Sequence, residues 1–165
     1  MPIYGKAIKF GDNVDTDIIL PGQYLVLTDA MELAKHAMEG LDPTFTTKIH
    51  DVAIIVAGKN FGCGSSREQA PLALKHAGTK CVLAESFARI FYRNSVTIGL
   101  PVLECPEISS KVEEGDELAV DLRVGEVENK SKNLLLQATQ LPEFIMEILD
   151  DGGLIEHLRR RIRLE

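Results

Sequence analysis

At 165 residues, with 45% hydrophobic and 26% charged content, the chain is long enough for one domain with a real core and has an ordinary globular composition. A net charge of −7, 5% aromatic content and no Trp argue against a phosphate-backbone surface or a stacking platform for single-stranded nucleic acid. No apolar run approaches the ~20 residues of a membrane span and no signal peptide is recognisable, so the chain is expected to be neither membrane-spanning nor secreted.

In chain order, residues 3–10 alternate as a strand and end at Gly11-Asp12-Asn13. Residues 15–22 place apolar Ile18-Ile19-Leu20 between polar and turn residues. Asp29 with Glu32 forms a capping box for a helix through Glu39, closed by Gly40. Asp42 and Pro43 then begin a loop. The block 51–104 reads as strand (51–57), glycine loop, helix (67–77), strand (80–84), helix (86–97) and strand (101–104). This alternation predicts a parallel βαβ heart with helical crossovers. Pro71 is tolerated only in a helix's first turn, so the first of these helices starts late and leaves 64–69 free to wrap a ligand. A turn at 113–116, a strand over 117–122 and two short strands within 126–138 make an antiparallel meander. A helix over 142–149 is interrupted at Asp151-Gly152-Gly153 and resumes to about residue 163, in agreement with the helix punctuation rules. Its run Arg159-Arg160-Arg161-Ile162-Arg163 reads as a solvated helix end. There is no repeat, so residues 1–165 are expected to form one α/β domain.

Cys63, Cys81 and Cys105 are odd in number and widely spaced, without a C-x-x-C, so neither a zinc knuckle nor a thioredoxin-type site is indicated. Cys81 lies in an apolar run and reads as core. A reduced, cytoplasmic compartment fits this usage. His36, His50, His76 and His157 show no metal-ligand spacing, and each reads as structural.

The most informative segment is Asn60-Phe61-Gly62-Cys63-Gly64-Ser65-Ser66-Arg67-Glu68-Gln69-Ala70. A glycine-permitted loop between strand and helix can offer backbone N–H groups, a hydroxyl and a cation to one anionic ligand. Arg67 can grip a carboxylate with two parallel bonds, and a serine held by such donors can have its alkoxide stabilised and act as a base. The plainer reading is a Ser66-x-x-Gln69 capping box, although a cap alone does not require two glycines, two serines and an arginine together. The run is not a Walker loop, a G-x-G-x-x-G fingerprint or a G-x-S-x-G elbow. In Asn13-Val-Asp15-Thr16-Asp17 the two carboxylates would share a side of an extended segment and orient Arg67 or a substrate hydroxyl; an Asx turn is the alternative. In residues 86–95, Ser86 reads as an N-cap, Phe87, Ile90 and Phe91 as a core face, and Arg89 with Arg93 as a cationic ridge.

Together, Asn13-Val-Asp-Thr-Asp-Ile-Ile-Leu-Pro21, the 60–70 loop and Ser86-Phe-Ala-Arg-Ile-Phe-Tyr-Arg-Asn94 resemble the 3-isopropylmalate dehydratase small-subunit family of the aconitase superfamily. The resemblance runs from Gly5 to about Ile155. It implies a β/β/α swivelling domain like the aconitase C-terminal domain, made as a separate chain. It also implies a hydro-lyase that removes water from a hydroxy-dicarboxylate and re-adds it with opposite regiochemistry, in leucine biosynthesis. By that resemblance Ser65 is the base and Asp17 a second catalytic residue, while Gly64, Ser66 and Arg67 bind substrate carboxylate. No cofactor is expected in this chain; a [4Fe–4S] cluster is expected on a large-subunit partner, where it would act as Lewis acid. Val26 stands where homoaconitase-like relatives carry an arginine for a distal carboxylate. Burying methyl groups on Val26 contributes about 0.8 kcal/mol per group. Stranding an unpaired carboxylate costs several kcal/mol, so isopropylmalate is favoured over citrate or homocitrate. The alternatives are a homoaconitase or a broad-specificity citraconate/methylmalate hydro-lyase, a non-catalytic carboxylate-binding module, and a hydrolase using Cys63 or Ser65.

Overall fold

The computed structural model describes residues 2–164. Seven strands form one sheet in the order β4-β3-β2-β1-β5-β6-β7. β1 (Ile3–Lys9), β2 (Ala53–Ala57), β3 (Cys81–Ala84) and β4 (Val102–Glu104) run parallel, with Ala7 opposite Ile54, Ile54 opposite Cys81, and Val82 opposite Val102. β5 (Glu117–Asp121), β6 (Glu126–Asn129) and β7 (Leu134–Gln137) extend the sheet antiparallel from β1, with Ile3 opposite Val120. The parallel heart and the meander read from the sequence are therefore both present, joined edge to edge through β1.

Burial on both faces explains why the central strands are continuous apolar runs. Ile54 to Ala57 and Cys81 to Ala84 are all fully buried. Their side chains alternate: Ile55, Ala57, Val82 and Ala84 enter one core layer, while Ile54, Val56, Cys81 and Leu83 enter the other. The first layer is covered by α2 (Ala30–Ala34), α3 (Phe45–Val52), α4 (Gln69–Ala77) and α5 (Arg89–Thr97). The second is closed by α6 (Ile108–Lys111), the inward side of the meander, and α7 (Glu143–Asp150) through Met146. Each fully buried Ile or Leu contributes about 1.5–3 kcal/mol to this arrangement.

Several local expectations change. The helix begun by Asp29 stops at Ala34. Asp29 does cap it, accepting Met31 N–H at 2.8 Å, but Glu32 turns to Lys35 instead of completing the box. The chain then bends so that Met38, at φ +59°, donates its N–H to Ile19 O at 2.7 Å. That tertiary bond replaces the next helical one, and Met38, not Gly40, takes the left-handed position. The loop expected after Pro43 contains α3, started by Asp42, which accepts from both the N–H and the hydroxyl of Thr44. β2 consequently begins at residue 53, not 51. The four-residue helices α1 (Thr16–Ile19) and α6 were not legible either. α4 starts late, with Pro71 in its first turn, as Pro71 requires. α8 (Leu154–Leu164) carries the arginine run, where Arg160 and Arg161 pair with Asp151 and Glu147 at 2.5 and 3.4 Å.

Candidate active site

Three loops leave the carboxyl ends of β1, β2 and β3, the place where open parallel sheets collect ligands. Backbone bonds continue between them past the end of the sheet. Asn13 N–H donates to Lys59 O (2.8 Å), Gly62 N–H to Val14 O (2.7 Å) and Thr16 N–H to Cys63 O (2.8 Å). On the other side, Phe61 N–H donates to Ser86 O (3.1 Å) and Ala88 N–H to Phe61 O (2.9 Å). The three sequence motifs are thus adjacent extensions of neighbouring strands. Ser86 does not cap α5, because its hydroxyl accepts Asn60 N–H at 2.8 Å and so serves the loop instead.

Below the glycine loop, Phe61 is fully buried and meets Phe91 edge-on at 5.3 Å and Phe87 at 6.1 Å. Gly62, at φ +82°, lies so close to this cluster that an added Cβ would fall 2.1 Å from Phe91 Cγ. The glycine therefore lets the chain turn directly over the aromatic floor. Gly64, Ser65 and Ser66 emerge exposed, with Gly64 at φ +96°. Ser65 Oγ lies 3.2 Å from Oγ1 of Thr16, which is itself buried. Among the described residues, the N–H groups of Gly64, Ser65, Ser66 and Arg67 donate to no protein acceptor. Four successive free donors beside a cation make an anion cradle. The capping-box alternative fails, since Glu68 precedes α4 and no side chain caps that helix.

Arg67 is the half-buried member of the group. Its Nη1 donates to Asp17 Oδ1 at 2.8 Å and to Leu20 O at 3.3 Å. Gly22 N–H donates to the same Asp17 oxygen at 3.0 Å. The hydrogen bond from Arg67, followed by that from Gly22, holds the Asp17 carboxyl below its ordinary value. Among the described residues Arg67 Nη2 has no hydrogen-bond partner, so one side of the guanidinium is fixed and the other remains available for a ligand. Asp15 and Asp17 do not lie together on an extended segment. Asp15 is the N-cap of α1, accepting Ile18 N–H at 2.8 Å, and Asp17 in the first turn reaches Arg67 instead.

The structure therefore brings Gly64, Ser65, Arg67 and Asp17 together around Thr16, with Ser66 exposed in the same loop. The sequence carries no signal for Thr16 as a functional residue. Its contact with Ser65 spans 49 positions and has no local pattern. Val26 is set apart on the loop after Asp17, 83% exposed, while Tyr24, Leu25 and Leu27 pack against the core. Cys63 lies in the glycine loop, where partial burial, followed by the charge of Asp15, pushes its thiol up and keeps it neutral. Cys81 and Cys105 belong to the second core layer, and burial pushes their thiols up to about 12 and about 11. No group of metal-ligating side chains occurs among the described residues. His36 and His157 bond Glu39 and Asp151, and no histidine bonds Cys63 or Ser65 among the described residues. A histidine-assisted hydrolase is thereby disfavoured. No helix among the described residues is long and apolar enough to cross a membrane.

Comparison with known proteins gives the family. Residues 22–108 match the family model of the aconitase C-terminal domain. The 3-isopropylmalate dehydratase small subunit of Halothermothrix orenii is 53% identical over 163 residues, covering 99% of each chain. The isopropylmalate/citramalate isomerase small subunit of Methanocaldococcus jannaschii is 58% identical over 160 residues, covering 97% of this chain and 95% of its own. The crystal structure of a 3-isopropylmalate dehydratase from the same organism superposes with a TM-score of 0.94 at 46% identity, covering 99% of this chain and 97% of that one. The chain belongs to the aconitase C-terminal-domain family, among the 3-isopropylmalate dehydratase small subunits.

Proposed function

We propose that this chain supplies the base and the carboxylate grip of a cytoplasmic 3-isopropylmalate dehydratase, which interconverts 2- and 3-isopropylmalate by dehydration and rehydration in leucine biosynthesis. The observation that carries the proposal is Ser65, exposed beside buried Thr16, next to an arginine fixed on one side by Asp17 and free on the other. The free side of Arg67 and the unpaired N–H groups of 64–67 take a substrate carboxylate. Ser65 Oγ, its alkoxide stabilised by the same donors, removes the carbon-bound proton and returns it on rehydration. Asp17 keeps Arg67 oriented, and the hydrogen bond from Arg67 in turn holds the Asp17 carboxyl below its ordinary value.

A [4Fe–4S] cluster does not fit this chain. Cys81 and Cys105 are buried as neutral thiols in the second core layer, and Cys63 stands alone in the glycine loop. In this proposal the cluster, and with it the Lewis-acid half of the site, belongs to a large-subunit partner.

Substrate choice follows from Val26. A valine offers an alkyl group apolar surface and cannot pair a distal carboxylate, so isopropylmalate is preferred to a tricarboxylate. A second proposal, activity on citramalate as well, is favoured by the exposure of Val26 and by the name of the Methanocaldococcus relative. A side chain 83% open to solvent forms no closed wall in this chain alone, and so does not by itself exclude a smaller methyl substituent. Co-expression with a cluster-bearing large subunit under anaerobic conditions tests both, with isopropylmalate, citraconate and homoaconitate assayed side by side. Turnover of isopropylmalate, with or without citraconate, is the expected result. Homoaconitate turned over fastest would refute the substrate assignment. Inactivity with every such partner would return the chain to a carboxylate-binding module.

A further inference from the structure

The loop after Asp17 is held at two points, Gly22 and Tyr24. At its start, Gly22 N–H is bound to the Asp17 oxygen that also accepts Arg67. One short 3₁₀ turn later (Gly22–Tyr24), the Tyr24 ring stacks on His36 with centroids 3.6 Å apart and planes 8° apart. The Tyr24 hydroxyl donates to Glu39 Oε1 at 2.8 Å, and Glu39 Oε2 lies 2.6 Å from His36 Nδ1. The three side chains close a triangle. Its base is anchored by the Met38 N–H bond to Ile19 O, at the end of the helix that carries Asp17. Tyr24 O accepts Leu27 N–H at 3.0 Å, closing the turn that presents Val26.

We propose that Tyr24, His36 and Glu39 form a clamp that fixes the 22–28 loop, making Tyr24 and Glu39 positioning residues for Arg67 and Val26. They would set substrate affinity and choice, not the rate of proton transfer; this consequence rests on the hydro-lyase function proposed above, whereas the clamp itself does not. An isolated, partly exposed hydrogen bond between His36 and Glu39 would contribute little. Here the pair is joined to a ring stack and a phenol. Among the described residues, Tyr24 is the only member of 22–28 whose own side chain hydrogen-bonds outside that segment, beside the backbone bond from Gly22 to Asp17.

Two measurements test this. In the purified chain, Glu39→Ala accelerates hydrogen exchange at the Leu25 and Leu27 amides while β1–β4 stay protected; unchanged exchange there overturns the clamp, whatever the catalytic outcome. In the assembled enzyme, Glu39→Ala and Tyr24→Phe each raise KM for isopropylmalate about five- to tenfold, the worth of roughly one hydrogen bond, with kcat within about twofold. Discrimination between isopropylmalate and its methyl-substituted relative narrows in the same variants. Glu39→Gln restores KM, because its amide oxygen still accepts from Tyr24. A fall in kcat at unchanged KM, or no rescue by Gln, overturns the positioning role. A wild-type pair without hydro-lyase activity would sink the functional proposal instead, with the exchange experiment still deciding the clamp.

Discussion

Replacing Gly62 by alanine tests how the fold builds the glycine loop. Two costs combine at this position. A residue with a Cβ loses about 1–2 kcal/mol in the left-handed conformation that Gly62 adopts at φ +82°. The added methyl would also fall 2.1 Å from Phe91 Cγ and 2.4 Å from Phe91 Cβ, and forcing such a group into a packed core costs about 1–3 kcal/mol. Phe91 has little room to retreat: it is 2% exposed, edge-on to Phe61 and stacked on Phe87. The expected destabilisation is therefore about 2–5 kcal/mol, read as a lower urea midpoint at unchanged slope for the isolated chain. For a chain of this size each kcal/mol lowers Tm by about 2–4 °C. The loop must shift to relieve the clash, so activity of the assembled enzyme should fall as well. Phe91→Ala removes the contact with Cγ but keeps Cβ at 2.4 Å, so Gly62→Ala should cost less in a Phe91→Ala background than in the wild type without becoming neutral there. A Gly62→Ala chain within about 0.5 kcal/mol of wild type, the scatter of neutral surface changes, would refute the claim that close approach to Phe91 shapes the site.

Arg67→Lys keeps the charge but removes the planar fork; it should raise KM by about tenfold or more, since one hydrogen bond to a charged group contributes about 1.5–3 kcal/mol, and an unchanged KM would make Arg67 structural. Val26→Arg should shift preference towards a tricarboxylate, measured as the ratio of kcat/KM for homoaconitate and isopropylmalate; no change in that ratio would remove Val26 from specificity. Asp17 has a folded pKa below its ordinary value of 3.8, so the stability of its pair with Arg67 is present above that value and lost as pH falls through the lowered one. A carboxyl-carbon NMR titration should place its midpoint below 3.8; a midpoint at or above that value would dissolve the pair in solution.

The βαβ heart was legible because its strands are buried on both faces, which forces the unbroken runs Ile54 to Ala57 and Cys81 to Leu83. The meander was legible from turn residues such as Gly115 and Gly125, both at positive φ. α3 was not: among its described side chains only Phe45 and Ile49 mark its buried side, and Phe45 becomes a core residue by packing 6.1 Å from Phe10, far away in sequence. The early end of α2 is set by the Met38–Ile19 bond, which is also long-range. In the site, Gly64 to Arg67 form one contiguous string whose chemistry is written in residue type. Thr16 beneath Ser65 and the distinct tasks of Asp15 and Asp17 are not, since a four-residue helix at Thr16–Ile19 decides where each side chain goes. The clamp of Tyr24, His36 and Glu39 joins residues up to 15 positions apart across a turn that no periodicity announces.

The proposed role of Ser65 as the proton-abstracting base is decided by the kinetics of Ser65→Ala in the reconstituted enzyme. The substitution is exposed and removes one hydroxyl beside Thr16, so the fold and the pairing of Asp17 with Arg67 should survive, with the thermal midpoint of the isolated chain lowered by only a few degrees for the partner that Thr16 loses. A lost general base should lower kcat by at least about 10²-fold with KM within about threefold. A Ser65→Ala enzyme retaining kcat within about tenfold of wild type would contradict the assignment.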